Sequence, residues 1–324
     1  MTAISSEFKV PKRQLGPNGP EVPVYALGSW NIWDRMTRDE AIALIDRAQK
    51  VDCAFFDVAY YNMGPHAEQS RTDILFGEAI KASGLKRSDF LVCGKLWLWE
   101  YPKLNFKEQI EISLERAQLD KFEMVVVGDY FAENPHMENL TAEVNKLIDA
   151  GLIDHWGINN WIYKDTRTAL DFAKANDLVP PTFAQLKYSV VRRTMTEGKH
   201  YGPLFEQGEL ALQASDCLEG GILAGKTPNR KIGADVGDIR QKIYDAVPEL
   251  EKIAKEFDAS LVQVALAFCL AHPATANVLF GASKLSQFED NLGAIELAQK
   301  AGPLIRERLD HLWLDQHVPE QGGF

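Results

Sequence analysis

Cysteine is scarce in this sequence of 324 residues, which has four in all: Cys53, Cys93, Cys217 and Cys269. Each lies in apolar sequence and none belongs to a CxxC pair, which argues against disulfides and thiolate metal sites and indicates a reducing compartment. Basic residues are also in the minority, because 35 Lys and Arg stand against 46 Asp and Glu, for a formal net charge of −11. A chain this acidic has no general attraction for nucleic acid or anionic lipid.

Long apolar runs are absent as well. No segment approaches the roughly 20 apolar residues that span a bilayer, and no apolar stretch follows the first charges of the N-terminus. The seven histidines show no HxxxH or HExxH spacing of the kind that holds a metal. A content of 46% hydrophobic and 25% charged residues is ordinary for a globular protein. We therefore expect a cytoplasmic protein that binds no metal, membrane or nucleic acid.

Short apolar runs alternate with amphipathic stretches, the pattern of strands that are each followed by a crossover helix. Eight strands are expected, at 24–28, 54–58, 90–95, 124–128, 154–158, 182–186, 209–214 and 277–281. Helices are expected at 38–51, 71–83, 107–118, 137–150, 163–176, 240–257 and 260–271, and another begins near Ser286. This alternation predicts an α/β fold, a closed parallel (β/α)8 TIM barrel.

An open doubly wound sheet is the alternative architecture. It would need a GxGxxG turn after an early strand, and the sequence has no such turn. The stretch 10–28 has the pattern of a β-hairpin that turns at 17–19 and closes the bottom of the barrel. We expect residues 1–324 to form one domain, with a polar loop at 220–237 and a helical tail after Gly302.

Functional side chains of such a barrel lie at the C-terminal ends of its strands. Asp57 and Lys95 end the second and third strands, so their carboxylate and ammonium would meet inside the barrel mouth. There Lys95 would lower the pKa of a neighbouring phenol, with Tyr60 and Tyr61 within reach. The alternative is that Asp57 and Lys95 form only a buried structural ion pair. Their position at two strand ends favours a functional role.

Six motifs follow the order and spacing of the aldo-keto reductase superfamily over about residues 14–298: FFDVAYYN, GKLW, GLIDHWGINNW, AQLKYS, ASDCLEGGILAGK and GASKLSQFEDNLGA. The chain most resembles the branch that contains the voltage-gated potassium channel beta subunits. The resemblance implies a (β/α)8 barrel that binds NADPH in an extended pose. It also implies a tetrad of Asp, Tyr, Lys and His that protonates a carbonyl as hydride arrives.

The resemblance assigns roles residue by residue. Asp57 and Lys95 match the family Asp and Lys. Asn160 and Gln185 resemble the residues that hold the nicotinamide carboxamide, and Asn159 stands where a serine is usual. The positions that match cofactor contacts are Ser29, Trp30, Asp57, Asn159, Asn160, Gln185, Ser215, Leu218, Lys226, Gly281, Ser283, Lys284, Gln287, Asp290 and Asn291.

Two lysines carry phosphate recognition in this interpretation. Lys284 follows Ser283 at the end of the last strand, where backbone N–H groups and a helix N-terminus accept an anion. It would supply charge for a 2′-phosphate, while Lys226 matches a lysine that reaches the cofactor pyrophosphate. Alone, Lys284 would be read as a solvated surface charge. Together with the other motifs it predicts NADPH as the cofactor.

The sequence departs from the family pattern at the catalytic centre. Gly128 stands where the family histidine orients the carbonyl, so no imidazole acts from that position. The family tyrosine stands five residues after the aspartate, at Asn62, whereas Tyr61 stands four after. A one-residue loop deletion would restore Tyr61, which we favour over strict register. His66 is the alternative source of an imidazole.

A second departure lies where the family stacks a Tyr or Trp on the nicotinamide. The aligned residue is Ser215, followed by Asp216 and Cys217 in place of serine and proline. Asp216 and Glu219 would put negative charge near the cofactor.

Tryptophans are expected on two loops above the mouth, where they would form an aromatic wall for a flat or apolar substrate. The predicted pocket consists of Trp30, Trp33, Trp97, Trp99, Gly128 and Asp129. The alternative is that Trp97 and Trp99 pack between the barrel and its helices.

The leading interpretation is an NADPH-dependent oxidoreductase that reduces the carbonyl, or imine, of a small aromatic or apolar substrate, with Lys95 and Tyr61 relaying the proton. An imine arrives protonated and needs an oxyanion donor less, so it suits a site without the family histidine. One alternative is a redox-neutral enzyme that uses NADP, an isomerase or dehydratase. Another is a regulatory protein that holds NADPH and turns over weakly. A homo-oligomer is compatible with the sequence, which does not decide the oligomeric state.

Overall fold

Eight parallel strands close into a barrel in the computed structural model, which describes residues 8–30, 32–61, 69–99, 101–128, 136–228, 235 and 237–318. The strands in the described ranges are β1 (Lys12–Gln14), β2 (Glu21–Pro23), β3 (Tyr25–Gly28), β4 (Phe55–Asp57), β5 (Leu91–Trp97), β6 (Met124–Gly128), β7 (His155–Asn159), β8 (Phe183–Lys187), β9 (Ala211–Ser215) and β10 (Thr275–Phe280). The barrel order is β10-β3-β4-β5-β6-β7-β8-β9. This confirms the predicted (β/α)8 fold.

Helices surround the barrel. They are α1 (Arg38–Lys50), α2 (Thr72–Ser83), α3 (Phe106–Ala117), α4 (Met137–Asp149), α5 (Tyr163–Ala175), α6 (Thr194–Glu197), α7 (Tyr201–Glu206), α8 (Ile239–Glu256), α9 (Leu261–Leu270) and α10 (Leu285–Arg308). Short 3-10 turns occupy Trp33–Arg35, Arg87–Asp89, Glu219–Ala224 and Asp310–Leu312. Thr37 starts α1 with a capping box, in which its backbone N–H donates to Glu40 Oε2 at 2.8 Å.

Two structural differences from the sequence prediction lie in the second half of the chain. The connection between β8 and β9 contains α6 and α7, which the sequence analysis did not predict. The helix that starts at Leu285 continues through Gly302 to Arg308 instead of yielding a separate tail helix. Gly302 is a packing residue, because a Cβ there would lie 2.8 Å from the Cβ of Ala271, at the end of α9.

The core lies in two layers, inside the barrel and between the barrel and the helices. Successive strand residues alternate between them. Phe55 belongs to the interior cluster with Cys93, whereas Phe56 belongs to the outer cluster with Phe76 of α2. All four cysteines are free and buried.

The N-terminal hairpin closes the bottom of the barrel, as predicted. β1 and β2 pair antiparallel, and Leu15 and Val22 are fully buried in the interior cluster. Gly19 N–H donates to Gly16 O at 3.1 Å to close the turn. Gly16 has a φ of +85°, and a Cβ there would lie 1.7 Å from the carbonyl oxygen of Thr182. Only glycine fits this contact between the hairpin and the start of β8.

We predict that Gly16→Ala lowers the free energy of unfolding far more than Gly84→Ala. Gly84 has a similar φ of +72°, but a Cβ there would meet nothing within 4 Å, so its substitution costs only the left-handed backbone strain, about 1–2 kcal/mol. At Gly16 the overlap with Thr182 adds at least about 2 kcal/mol. Urea unfolding followed by tryptophan fluorescence measures both values. Equal losses would show that the hairpin moves freely away from the barrel.

Candidate active site

An ion pair is buried inside the C-terminal half of the barrel. Lys95 Nζ lies 2.9 Å from Asp57 Oδ2, and the two side chains are 7% and 2% exposed. Asp57 is the last residue of β4, whereas β5 runs two residues beyond Lys95 to Trp97. The ammonium donates a second hydrogen bond, of 2.7 Å, to Gln185 Oε1 on β8. The structure thus brings together three side chains that the sequence analysis selected.

A row of amide side chains continues from this pair across β7, β8, β9 and β10. Its members, hereafter the amide row, stand directly opposite one another in the strand register: Asn159, Gln185, Gln213 and Asn277. Gln185 Nε2 donates to Asp57 Oδ2 at 2.9 Å and to Gln213 Oε1 at 2.6 Å. Sequence reasoning missed Gln213 and Asn277. The signal was an amide inside each of the apolar strands ALQAS and TANVLF.

Asn160 continues the same polar surface just after β7. Its Nδ2 donates to Asn159 Oδ1 at 3.2 Å, and its Oδ1 accepts from the backbone N–H of Lys187 at 3.1 Å. Asn160 is 7% exposed and has a φ of +52°. The two asparagines therefore present fixed amides next to Gln185.

Tyr61 lies in an aromatic cluster at the barrel mouth. Its ring stacks on Trp30, with centroids 6.1 Å apart, and tilts against Trp97 at 5.9 Å. The phenol is 3% exposed, and neither its Oη nor Ser29 Oγ has a partner in full hydrogen-bond geometry among the described residues. Asn62 and His66, the alternatives for the phenol and the imidazole, lie outside the described residues.

Burial raises the pKa of the Tyr61 phenol well above its ordinary value, and the charge of Asp57 raises it further. The nearby Ser29 hydroxyl acts in the opposite direction but does not prevail. The net shift of the Tyr61 pKa is therefore upward, opposite to the lowering expected from Lys95. The physical reason is that Lys95 already pairs with Asp57 and Gln185, while the phenol lies among aromatic rings.

Trp97 fills the space above Gly128. The two residues are opposite each other in the pairing of β5 with β6, and a Cβ on Gly128 would lie 2.9 Å from Trp97 Cε3. Trp97 stacks on Trp99, with centroids 4.3 Å apart. Gln109 of α3 fixes the Trp97 backbone, because its Oε1 accepts from Trp97 N–H at 2.7 Å and its Nε2 donates to Trp97 O at 3.0 Å. Asp129 lies outside the described residues.

Trp33 does not line the mouth, contrary to the prediction. It is fully buried in the outer layer, edge-on to Phe56 at 6.1 Å and to Phe76 at 5.7 Å. The 3-10 turn Trp33–Arg35 directs this indole back against α2, whereas Trp30 precedes the turn and packs at the mouth. The aromatic wall therefore consists of Trp30, Tyr61, Trp97 and Trp99.

The predicted phosphate-binding lysines lie beyond the ends of β9 and β10. Lys226 and Lys284 are exposed, and Ser215 and Leu218 are half-buried between β9 and Lys226. Gln287 Oε1 accepts from the backbone N–H of Ser283 at 2.9 Å. The remaining predicted contacts around this end are Gly281, Asp290 and Asn291. Asp290 Oδ2 accepts from Ser260 Oγ at 3.0 Å, which ties its side chain to the start of α9.

Glu219 does not contribute free negative charge, contrary to expectation. It is 2% exposed, its Oε2 accepts from Arg192 Nε at 2.9 Å, and its Oε1 accepts from Ser189 Oγ at 2.6 Å. Burial raises the pKa of Glu219, and Arg192 and Ser189 act in the opposite direction. The carboxylate thus anchors the loop after β9 to the loop after β8.

Within the described ranges, no three His, Cys, Asp or Glu side chains are grouped so that they could hold a metal ion. In the same ranges, none of the helices has the length and the apolar character that crossing a membrane requires.

The sequence profile of the Aldo/keto reductase family matches residues 26–306. The chain belongs to the aldo/keto reductase family. This confirms the resemblance drawn from the motifs. The match runs from β3 into α10, so it covers the barrel and excludes the hairpin β1–β2.

Two plant relatives of this aldo/keto reductase family member are described as probable voltage-gated potassium channel beta subunits. The protein of Arabidopsis thaliana is 26% identical over 325 residues, covering 93% of this chain and 95% of the relative. That of Oryza sativa subsp. japonica is 27% identical over 322 residues, covering 92% and 95%. These relatives agree with the branch that the motifs indicated.

Solved aldo-keto reductases have the same fold. One from Klebsiella pneumoniae, in complex with NADPH, superposes with a TM-score of 0.73 at 19% identity and covers 97% of this chain and 99% of its own. A thermostable aldo-keto reductase in complex with the inhibitor epalrestat gives a TM-score of 0.71 at 23% identity and covers 93% and 99%.

We predict that Lys95→Met destabilises this aldo/keto reductase family member by about 3–5 kcal/mol, because it leaves the Asp57 carboxylate buried without its counter-charge. The double variant Asp57→Asn with Lys95→Met should recover most of that loss. Lys107→Met is the matched control, since Lys107 pairs with Glu111 at 3.7 Å on the surface and its loss should cost less than about 1 kcal/mol. Urea unfolding measures all three. A double variant as unstable as Lys95→Met would argue against a buried charge pair.

Proposed function

We propose that the protein is an NADPH-dependent oxidoreductase that reduces the carbonyl, or imine, of a small aromatic or apolar substrate. The observation that carries the proposal is the buried Lys95–Asp57 pair inside the barrel, together with the phenol of Tyr61, whose Oη is buried near Ser29 and makes no hydrogen bond of full geometry in the described part of the chain. A buried hydroxyl without a partner is a donor available to a ligand. Membership of the family and the NADPH complex of the Klebsiella pneumoniae enzyme support the same reaction class.

The side chains around the mouth fit a nicotinamide dinucleotide. Ser29 Oγ is fully buried near Tyr61 and makes no hydrogen bond of full geometry among the described residues, so a ligand would satisfy it. Asn159 and Asn160 offer amides for the carboxamide, and the exposed Lys226 and Lys284 offer charge for phosphates. NADPH, when bound, supplies the hydride. The protein's part is to orient the substrate, exclude water and deliver a proton.

Tyr61 is the proton donor in this scheme. Because its pKa is raised well above 10.0, the phenol stays protonated across the neutral range. The substrate oxygen takes the proton from Tyr61 Oη while the carbonyl carbon is reduced, which yields the alcohol. Lys95 offsets the charge of Asp57, which would otherwise oppose the phenolate that remains until solvent returns a proton.

The aromatic cluster supports a flat or apolar substrate. Trp30, Tyr61, Trp97 and Trp99 line one side of the mouth, and the Trp97 indole occupies the space where a side chain at position 128 would stand. Without an imidazole at that position, Tyr61 is the donor that the described residues offer for polarising a carbonyl oxygen. A protonated imine needs less polarisation, which keeps imines within the proposed substrate class.

A regulatory protein that holds NADPH and turns over weakly is the second candidate. The glycine at position 128 and the names of the two plant relatives favour it. A redox-neutral NADP enzyme would use the two acids expected near the cofactor, Asp216 and Glu219. It has less support, because Glu219 is bound to Arg192 and Ser189. Oxidation of NADPH by aromatic aldehydes, ketones and cyclic imines separates reduction from both alternatives.

We predict that Tyr61→Phe lowers kcat by about 100-fold or more while the dissociation constant of NADPH stays within about twofold, because the hydroxyl matters only in the transition state. Tyr60→Phe is the matched control. Its ring lies 4.5 Å from the Arg116 guanidinium carbon, and its backbone carbonyl rather than its hydroxyl holds Trp97 Nε1 at 2.9 Å. Asn62→Ala should have the smaller effect. The opposite ranking would mean that this site has no phenolic acid.

Lys284→Ala should weaken NADPH binding by roughly tenfold to a hundredfold and leave NADH binding nearly unchanged, since one charge-assisted contact to the 2′-phosphate contributes about 1.5–3 kcal/mol. Lys300→Ala is the control, because Lys300 is 75% exposed on α10 and pairs with Glu296 at 3.2 Å. Fluorescence titration of both cofactors gives the constants. Equal losses for NADPH and NADH would remove Lys284 from the phosphate site.

A further inference from the structure

The amide row is a chain of hydrogen bonds in which every donor points toward the bottom of the barrel. Asn159 Nδ2 donates to Gln185 Oε1 at 3.2 Å, and Gln185 Nε2 donates to Gln213 Oε1 at 2.6 Å. Gln213 Nε2 donates to Asn277 Oδ1 at 3.0 Å, and Asn277 Nδ2 donates to the carbonyl of Pro23 at 2.7 Å. Gln213 and Asn277 are fully buried, so water does not replace these bonds.

The direction of the hydrogen bonds in the amide row is set by the groups at its two ends. The backbone carbonyl of Pro23 only accepts, which requires Asn277 to turn its Nδ2 toward the hairpin and its Oδ1 toward Gln213. The same argument then fixes Gln213 and Gln185 in turn. At the other end the Lys95 ammonium only donates, and it meets Gln185 Oε1. Rotating any one of these amides by 180° would place two donors or two acceptors against each other.

Gln185 is hydrogen-bonded to capacity by protein groups. Its two N–H bonds point to Asp57 and Gln213, and its two lone pairs accept from Lys95 and Asn159. The family resemblance implies that Gln185 holds the nicotinamide carboxamide. In this chain no hydrogen-bonding capacity of its amide is left for that role.

We propose that Gln185 positions the Lys95 ammonium and that Gln213 and Asn277 are positioning residues that hold Gln185 in place. The row keeps Gln185 Oε1 on the ammonium, so that the charge stays between Asp57 and Gln185 while Tyr61 gives up its proton. Positioning matters here because a misplacement of about 1 Å at a reacting group costs on the order of 100-fold in rate. Only the kinetic part of this inference rests on the proposed function.

The kinetic test compares Gln213→Met, which keeps the side-chain length and removes the hydrogen bonds, with Gln213→Glu. A carboxyl buried at this position stays protonated, so it donates to Asn277 and accepts from Gln185 as glutamine does. With 4-nitrobenzaldehyde as substrate, Gln213→Met should lower kcat by roughly 10-fold to 100-fold at an unchanged dissociation constant for NADPH, and Gln213→Glu should recover most of the loss.

The matched control is Asn145→Leu, which removes another buried amide. Asn145 Nδ2 donates to Thr141 O at 2.9 Å and to Val179 O at 3.1 Å, outside the barrel interior. It should lower stability without lowering kcat. If Gln213→Met keeps the parent kcat, or weakens NADPH binding by as much as it lowers kcat, the proposal is overturned. The second result would make Gln185 a carboxamide ligand.

A spectroscopic test needs no turnover. In protein labelled with 15N-glutamine, the side-chain amide signals of Gln185 are assigned by their loss in Gln185→Met. Asn277→Leu, two residues further along the row than Gln185, should shift these signals, and Asn145→Leu should not. Addition of NADPH should shift them less than Asn277→Leu does, and the opposite order overturns the proposal. If the parent oxidises no NADPH with any carbonyl or imine, the proposed function fails while this test still decides the positioning role.

Discussion

The ammonium of Lys95 is buried inside the barrel, and the arrangement of the surrounding side chains depends on it. A charge removed from water costs several kcal/mol unless an opposite charge and further hydrogen bonds offset it. Asp57 supplies the charge and Gln185 the second acceptor. The Gln185 amide then needs acceptors for its own two N–H bonds, which Asp57 and Gln213 provide. One buried charge thus accounts for a polar layer that crosses four otherwise apolar strands.

The aromatic mouth lies above this polar layer and consists of rings instead of charges and amides. Tyr61 packs on Trp30 and Trp97, and these rings exclude water from its hydroxyl. Exclusion of water raises the pKa of the phenol and keeps the proton on it. The same exclusion strengthens any hydrogen bond that the hydroxyl makes to a substrate. A weak acid in a dry site is suited to donate its proton only when charge develops on the acceptor.

Much of the fold was predictable because the pattern that produces it is local. All eight barrel strands and seven of the helices fall within a few residues of the predicted positions, since apolar runs and helical periods of this length are visible in sequence. α6 and α7 were not predicted because segments of 4 and 6 residues are too short to show a helical period. Gly302 suggested a helix end, yet it marks the close approach of α10 to Ala271. That distinction depends on a contact 31 positions away in the chain.

The candidate site was predictable to the extent that a strand end determines where a side chain points. Asp57 ends β4, Lys95 and Gln185 lie two residues before the ends of β5 and β8, and the three side chains meet. Trp33 and Glu219 lie on loops, whose direction depends on partners such as Phe76 and Arg192 that no local pattern reveals. The amide row required the register of four strands as well as their positions in the sequence.

In the proposed reduction, the choice of substrate would depend on both the polar layer and the aromatic mouth. A neutral carbonyl oxygen receives help from one phenol, whose raised pKa makes it a weak acid. A protonated imine brings its own positive charge, and the faces of Trp30, Trp97 and Trp99 attract a cation. The Lys95 ammonium would repel such a cation, but its charge is offset by Asp57. Within the proposed reduction, the physical chemistry of the mouth therefore favours flat imines over aliphatic ketones.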